Sequence, residues 1–424
     1  MKFGIFYEHQ LPRPWREGAE LKLFQDALEQ VELADRIGID HAWEVEHHFL
    51  EEYSHSSAPE IFLAAASQRT KNIRLGHGIR QVIANYNHPA RTAECIATLD
   101  LVSNGRVDFG TGESAAILEL DGFDVPVASK RAQYLEATEQ IANMLAMDPY
   151  PGFKGKYFEM PCRNIVPKTV QKPHPPMWVA CSSRETIKMA ARLGIGALTF
   201  AFVDPSEARH WVDEYYDIIK SDKCVPIGDT VNANICMVTS FSLHQDREEA
   251  IKRGLEGFEF FGFALGSLYG FGEHRPGRTN LFEQFKTLRD KRLSESPLDF
   301  SRALLAEKGG IGTPDDMRKH LKKFEDVGVD QVTFIQQAGL NKHEHICESL
   351  ALFGSEVLPE FKAREAAREA KKSAELAPYI AAAMARKQYM PALKEDEIPT
   401  FPALGRSVVE GQADPNKAVV KSKS

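Results

Sequence analysis

Eight short apolar runs, most of them joined by stretches of helical period, constrain the fold of this chain more than any other feature. The runs are Phe3–Tyr7, His41–Val45, Ile73–Ile79, Val107–Gly110, Met177–Ala180, Ala197–Phe200, Val231–Ser240 and Gln331–Ile335. Between them, Phe24–Ile37, Pro59–Gln68, Ala90–Leu101, Arg131–Met147, Glu185–Leu193 and Glu207–Lys220 repeat their apolar residues at helical spacing, and Gly38 and Asn104-Gly105 supply stops. Strands separated by helices of this length pair in parallel, because the helix carries the chain back to the end where the next strand must start. Eight such units predict an α/β fold of the closed (β/α)8 barrel type. The rival is an open, doubly wound sheet of six or seven strands, which would place G-x-G-x-x-G after the first strand, and none stands there.

Two segments fall outside the repeat. Residues from about Phe241 to Ile311 form a long insertion between the seventh and eighth strands, with Phe258, Phe260, Phe261, Phe263, Tyr269 and Phe271 set among glycines. Two readings fit it: a hinged lid over the catalytic rim, or a helical excursion packed on its own small core. The second segment is a C-terminal helical and extended tail. We therefore divide the chain into a barrel over residues 1–360, carrying the insertion at about 241–311, and a C-terminal extension over 361–424. In that extension Leu376, Tyr379, Ile380, Ala383 and Met384 form an apolar stripe. The stripe is expected to dock on a second subunit, making the protein a homodimer or larger; folding back across the closed end of its own barrel is the alternative. The last ten residues or so read as disordered.

Charge and cysteine usage narrow the partners. With 52 Lys+Arg against 60 Asp+Glu in 424 residues, the net charge is −8 and no basic field exists for a nucleic acid. The six cysteines form no C-x-x-C pair, which argues against a zinc knuckle and against a disulfide framework. No apolar run is long enough to span a bilayer, and the first residues turn polar without a secretory leader. A cytoplasmic protein that touches neither membrane nor nucleic acid and binds no metal is the expectation.

Three segments can carry chemistry. Glu44-Val45-Glu46-His47-His48-Phe49 ends the second strand, and strand C-termini form the catalytic face of a barrel. Alternation sends Glu44 and Glu46 to one side and Val45 and His47 to the other, so the two histidines do not share a metal unless ligands come from elsewhere. His47 is either an acid/base group or a hydrogen-bonded structural one; Glu46 and His48 are its companion candidates. After the fourth strand, Gly110-Thr111-Gly112-Glu113 allows close backbone approach to a ligand, or is a plain tight turn. After the fifth, Ala180-Cys181-Ser182-Ser183 leads straight into a helix, so hydroxyls and first-turn N–H groups can hold a phosphate; alternatively Ser183 only caps the helix.

Together, Lys2-Phe3-Gly4, Glu46-His47-His48-Phe49, His88-Pro89-x-Arg91-x-Ala93-Glu94, Asn104-Gly105-Arg106 before Phe109-Gly110-Thr111-Gly112, and Val179-Ala180-x-Ser182 resemble the bacterial luciferase-like flavin monooxygenases. Order and spacing match over about Met1–Gly196, and Gly312-Thr313-Pro314 through Ile335 resembles the family's last units. The resemblance implies reduced FMN supplied by a separate flavin reductase, reaction with O2 through a flavin C4a-peroxide, and oxygenation of a small organic substrate. It places the catalytic histidine on His47, the phosphate contacts on Ser182 and Ser183, and close backbone approach to the flavin at Gly112. Glu113 stands where luciferase has an arginine, and Arg184 or Arg80 is expected to compensate; Cys181 replaces a carboxylate. The alternatives are a deazaflavin-dependent hydride-transfer enzyme of the same fold, a metal-dependent barrel hydrolase, and a flavin-binding barrel without turnover.

Overall fold

The computed structural model describes residues 1–200, 205–295, 309–404 and 406. Eight strands pair in parallel around a closed ring: β1 (Lys2–Tyr7), β2 (His41–Glu44), β3 (Arg74–His77), β4 (Val107–Gly112), β5 (Met177–Cys181), β6 (Gly196–Thr199), β7 (Ile235–Thr239) and β8 (Gln331–Ile335). Closure is set by register, with Phe6 of β1 opposite Ile335 of β8 and Leu75 of β3 opposite Val107 of β4. The surrounding helices are α1 (Ala19–Ile37), α2 (Pro59–Arg69), α3 (Pro89–Val102), α4 (Ile117–Gly122), α5 (Lys130–Ala146), α6 (Arg184–Arg192), α7 (Pro205–Ile219), α8 (Arg247–Gly266), α9 (Leu281–Glu295), α10 (Pro314–Asp326), α11 (His343–Glu356) and α12 (Leu358–Arg386). Local sequence fixes their ends: Gly38 closes α1 in the left-handed region at φ 92°, and Thr313 with Asp316 makes a capping box at α10. Among the described residues no helix is long and apolar enough to cross a membrane.

The strand pleat creates two cores. One face of each strand packs Ile5, Leu75, Phe109 and Val179 beneath the helices. The other fills the barrel with Phe6, Trp43, Trp178, Leu198, Val238 and Ile335. Trp43 and Trp178 meet edge to face with centroids 5.4 Å apart. Their indoles fit only because Gly76 and Gly196 lack side chains: a Cβ there would stand 2.2 Å from the Trp43 ring and 2.3 Å from the Trp178 ring. Below them Asp108 accepts hydrogen bonds from Trp178 Nε1 (2.9 Å) and Arg74 Nε (2.5 Å), which pairs this buried carboxylate.

The insertion is tied at its base, where Ser242–Leu243 pairs with Ile311–Gly312. From there α8, a π-helical turn (Ser267–Phe271) and α9 fold over the C-terminal ends of the strands. Phe260, Phe261, Leu268, Phe282 and Phe285 join the aromatic core that fills the barrel, so this segment is packed as part of the mouth rather than as a separate core. Glu52 fastens it: its buried carboxylate accepts from the backbone N–H groups of Arg13 (2.7 Å), Leu281 and Phe282 (3.2 Å). Residues 296–308 of the insertion, and the last residues expected to be disordered, lie outside the described residues.

In part, the tail follows the fold-back alternative. Helix α12 runs unbroken through residue 361 and folds back on its own barrel, burying Leu376 and Ala383 in the same core as the strands. Lys372 binds Asp330 (2.7 Å) and Asn234 (2.5 Å), the residues just before β8 and β7, and Arg386 donates to the Cys224 carbonyl (2.9 Å). Leu376 and Ala383 are thus covered at the N-terminal end of the barrel by their own chain, while Tyr379 stays exposed and Ile380 and Met384 half-buried. We expect Leu376→Ala to lower the unfolding free energy by about 2–5 kcal/mol, read as a lower urea midpoint at unchanged mass in light scattering. A reduced mass at an unchanged midpoint would place the stripe between copies instead.

Candidate functional site

A cavity of about 570 Å3 opens at the C-terminal ends of β1 to β6, roofed by Leu265 and Tyr269 of the insertion. Its two polar ends are built from opposite sides of the ring.

The first end centres on His47. Beyond β2 the alternation continues, so Val45 and His47 face the cavity and Glu46 faces away. The loop is held by Ser56, whose hydroxyl donates to the Val45 carbonyl (2.6 Å) and whose carbonyl accepts from the His47 N–H (2.8 Å). Glu119 of α4 then fixes the imidazole: one oxygen accepts from His47 Nδ1 (2.9 Å) and the His48 N–H (2.8 Å), and the other from the Ser114 hydroxyl. At the free side of the ring, Tyr269 Oη stands 3.3 Å and Glu8 Oε2 3.7 Å from Nε2. Burial pulls the His47 pKa down, but Glu119 and Glu8 outweigh it and carry it up to about 9. Burial pushes Glu8 up to about 7, against the opposing pull of His47 and Tyr53. Two carboxylates therefore share one imidazolium.

The second end lies where β5 runs into α6. Ala180 and Ser182 face the cavity with Ser183 and Thr186. Ser183 caps the helix, accepting from the Thr186 N–H (3.4 Å). Lys130 and Arg131, from the start of α5, line the same end and hold Glu113, with Lys130 Nζ 3.1 Å and Arg131 Nε 2.8 Å from its oxygens. Hydroxyls and two cations against the single Glu113 carboxylate leave this end positive, which suits an anion.

The other candidates sit as follows. Cys181 turns the opposite way from Ala180 and Ser182, as strand alternation requires; its thiol is buried beneath the helices against the Val179 carbonyl, and burial drives its pKa up. Gly112 opens on the cavity, where an added Cβ would come within 2.3 Å of Ile79. Gly110 and Thr111 lie beneath it: a Cβ on Gly110 would meet the His77 carbonyl, and the Thr111 hydroxyl is committed to Tyr134 (2.9 Å) and the Trp178 carbonyl (2.7 Å). Glu46 is not brought into the cavity; it accepts from the Gln81 N–H (2.9 Å), Asn87 Nδ2 (2.8 Å) and His48 Nε2 (3.1 Å). His48 packs on Phe123 outside the cavity. Neither expected cation lines the cavity: Arg184 pairs with Glu214 and Arg80 with Glu60, while Lys130 and Arg131 line the anion end, where they share Glu113. Sequence reasoning also missed Glu8, Gln81, Tyr53 and Glu119, and placed Tyr269 only in the insertion read as a lid. Glu8 was readable, since it continues the inward face of Gly4 and Phe6. Among the described residues, no group of three His, Cys, Asp or Glu side chains has metal-binding geometry.

Comparison with known proteins places this geometry. The luciferase-like monooxygenase family profile matches residues 1–331. The oxygenase component of the flavin-dependent trigonelline monooxygenase of Acinetobacter baylyi is 25% identical over 366 residues, 85% of this chain and 96% of that protein. The F420-dependent glucose-6-phosphate dehydrogenase of Amycolatopsis mediterranei is 25% identical over 345 residues, covering 80% and 95%. The chain also matches protein y4wF of Sinorhizobium fredii at 31% identity, over 42% of this chain and only 50% of that protein. In three dimensions, the monooxygenase RslO1 of Streptomyces bottropensis superposes with a TM-score of 0.68 at 26% identity, over 85% of this chain and 100% of that one. The profile match over most of the chain and the closed parallel barrel agree, and this protein belongs to the luciferase-like monooxygenase family.

Proposed function

We propose that the protein is a monooxygenase that takes reduced FMN from a separate reductase and uses O2 to oxygenate a small, largely apolar organic compound. One observation carries the reading: a single cavity has an anion-binding end at Ser182, Lys130 and Arg131 and, across the ring, a histidine poised for proton transfer. The residues fit a flavin mononucleotide. The phosphate finds hydroxyls and two cations that it shares with Glu113. The side-chain amide oxygen of Gln81, Oε1, fully buried and without a hydrogen bond among the described residues, offers an acceptor for a ring N–H. Ile79, Val179 and Phe200 supply apolar walls for a flat ring system. Reduced FMN, when bound, supplies the electrons that activate O2.

In this reading His47 holds a proton at Nε2 and transfers it at the reacting end, with Glu119 fixing its orientation and Tyr269 its free side. Lys130, Arg131 and Ser182 anchor the phosphate, and Gly112 keeps the cavity wall free of side chain. The insertion closes the mouth and excludes water. Small substrate, O2 and reductase are the partners. The F420-dependent relative supports a second reading, hydride transfer with a deazaflavin, in which the same two ends serve a different ring.

Phosphate anchoring is testable by itself. We expect Ser182→Ala to weaken FMN binding about ten- to a hundredfold, as for a lost hydrogen bond to a charged group, while riboflavin, which has no phosphate, is barely affected. Parallel weakening of both ligands would show that Ser182 acts through the fold.

A further inference from the structure

Glu8 is not explained by flavin binding at the anion end. It follows β1, four strands away from β5, so it stands across the ring from Ser182. It is 2% exposed and pinned: Oε1 accepts from the Tyr53 hydroxyl (2.9 Å), and its backbone carbonyl accepts from Ser54 (2.7 Å). Its second oxygen, Oε2, accepts no hydrogen bond among the described residues, although the side chain lines the cavity. Leaving a buried acceptor open is costly unless a ligand fills it.

The charges around it point the same way. From β2, Glu44 is already matched by His9 Nε2 (2.8 Å) and Ser56 (2.5 Å). Glu8 and Glu119 have only His47 between them, and Glu119 holds it more closely. Among the described residues no other cation lines that end, and Tyr53, Tyr269 and Phe200 are also in the cavity lining. Aromatic faces and a surplus carboxylate together are a receptor for a cation.

We propose that Glu8 Oε2 anchors the substrate, and that the substrate class is a small compound with an apolar or aromatic body and a positively charged, N–H-bearing nitrogen. The proposal rests on the flavin monooxygenase reading for what is then done to that compound, but the recognition itself is a property of the free cavity. Without such a ligand, Glu8 takes up a proton more readily than an ordinary carboxylate does. A bound ammonium replaces that proton as its partner.

Calorimetric titration of the full-length protein with benzylammonium and with benzyl alcohol, its neutral counterpart, tests this. We expect the wild type to bind the ammonium at least about tenfold more tightly, a typical gain for a charge-assisted hydrogen bond. Glu8→Gln should bring the ratio close to one. Should that variant fail to fold, the wild-type ratio is read at about pH 8 and about pH 5.5, on either side of the Glu8 titration; it must fall at the lower pH. Equal binding of the two probes by the wild type, or a preference that survives Glu8→Gln, overturns the proposal. FMN titrated into the same samples separates the two claims: absent FMN binding counts against the flavin reading, whereas FMN binding without an amine preference counts against Glu8 alone.

Discussion

Exchanging His47 for asparagine should lower turnover by about 10²–10⁴-fold, the usual contribution of a positioned acid/base group, with little change in FMN affinity. The imidazole is the only ring in the Glu46-His47-His48 segment that faces the cavity, and Nδ1 is already committed to Glu119, which leaves Nε2 as the working nitrogen. His48→Asn should cost less than about tenfold, because its ring packs on Phe123 and its Nε2 serves Glu46. Single-turnover rates with reduced FMN and titration of FMN separate chemistry from binding. Small, equal losses in the two variants would make His47 a structural residue.

The second large effect is expected at Glu119, whose carboxylate is fully buried and holds three donors at once. Glu119→Ala should lower the unfolding free energy by about 3–5 kcal/mol, the cost of removing one member of a buried pair. The same change removes a carboxylate that raises the His47 pKa, so the His47 titration should move below about 9. The sign follows from linkage: a histidine whose pKa is higher folded than unfolded stabilises the fold fully below about 6.5 and loses that contribution as pH rises through about 9. In the wild type the urea midpoint should therefore fall across that window, and in Glu119→Ala that fall should shrink. An unchanged pH slope would mean that another group holds the histidine's charge.

Much of this was legible from the sequence because a barrel repeats a local unit. The strand runs placed from Phe3 to Gln331 begin and end within a few residues of β1 to β8, except that β7 is confined to the middle of Val231–Ser240. Alternation separates His47 from Glu46 in the sequence without saying which side faces inward, and the same alternation past Tyr7 puts Glu8 on the face of Gly4 and Phe6. It also excluded Cys181, which was retained only because the motif around it was read as one block. Other contacts were illegible in principle. Glu119 reaches His47 across 72 residues, and Tyr269 across 222, from segments with no periodic signal linking them to the site. The stripe at Leu376 declared that it is buried but not against what, since a helix face covers its own barrel or a neighbour with the same spacing. Lys130 and Arg131 line the cavity from the start of α5, far from the Ser182 motif in sequence, whereas Arg184 and Arg80, nearer the motifs, do not line it.

The central claim is dependence on reduced FMN and oxygen. The most direct measurement mixes the full-length protein anaerobically with photoreduced FMN, admits air, and records O2 uptake and the flavin spectrum, with a reduced deazaflavin in a parallel cell. The account predicts that reduced FMN binds more tightly than oxidised FMN and that O2 is consumed by the protein only when reduced FMN is supplied. Efficient redox turnover with the deazaflavin, indifferent to oxygen and accompanied by no FMN binding, would contradict it.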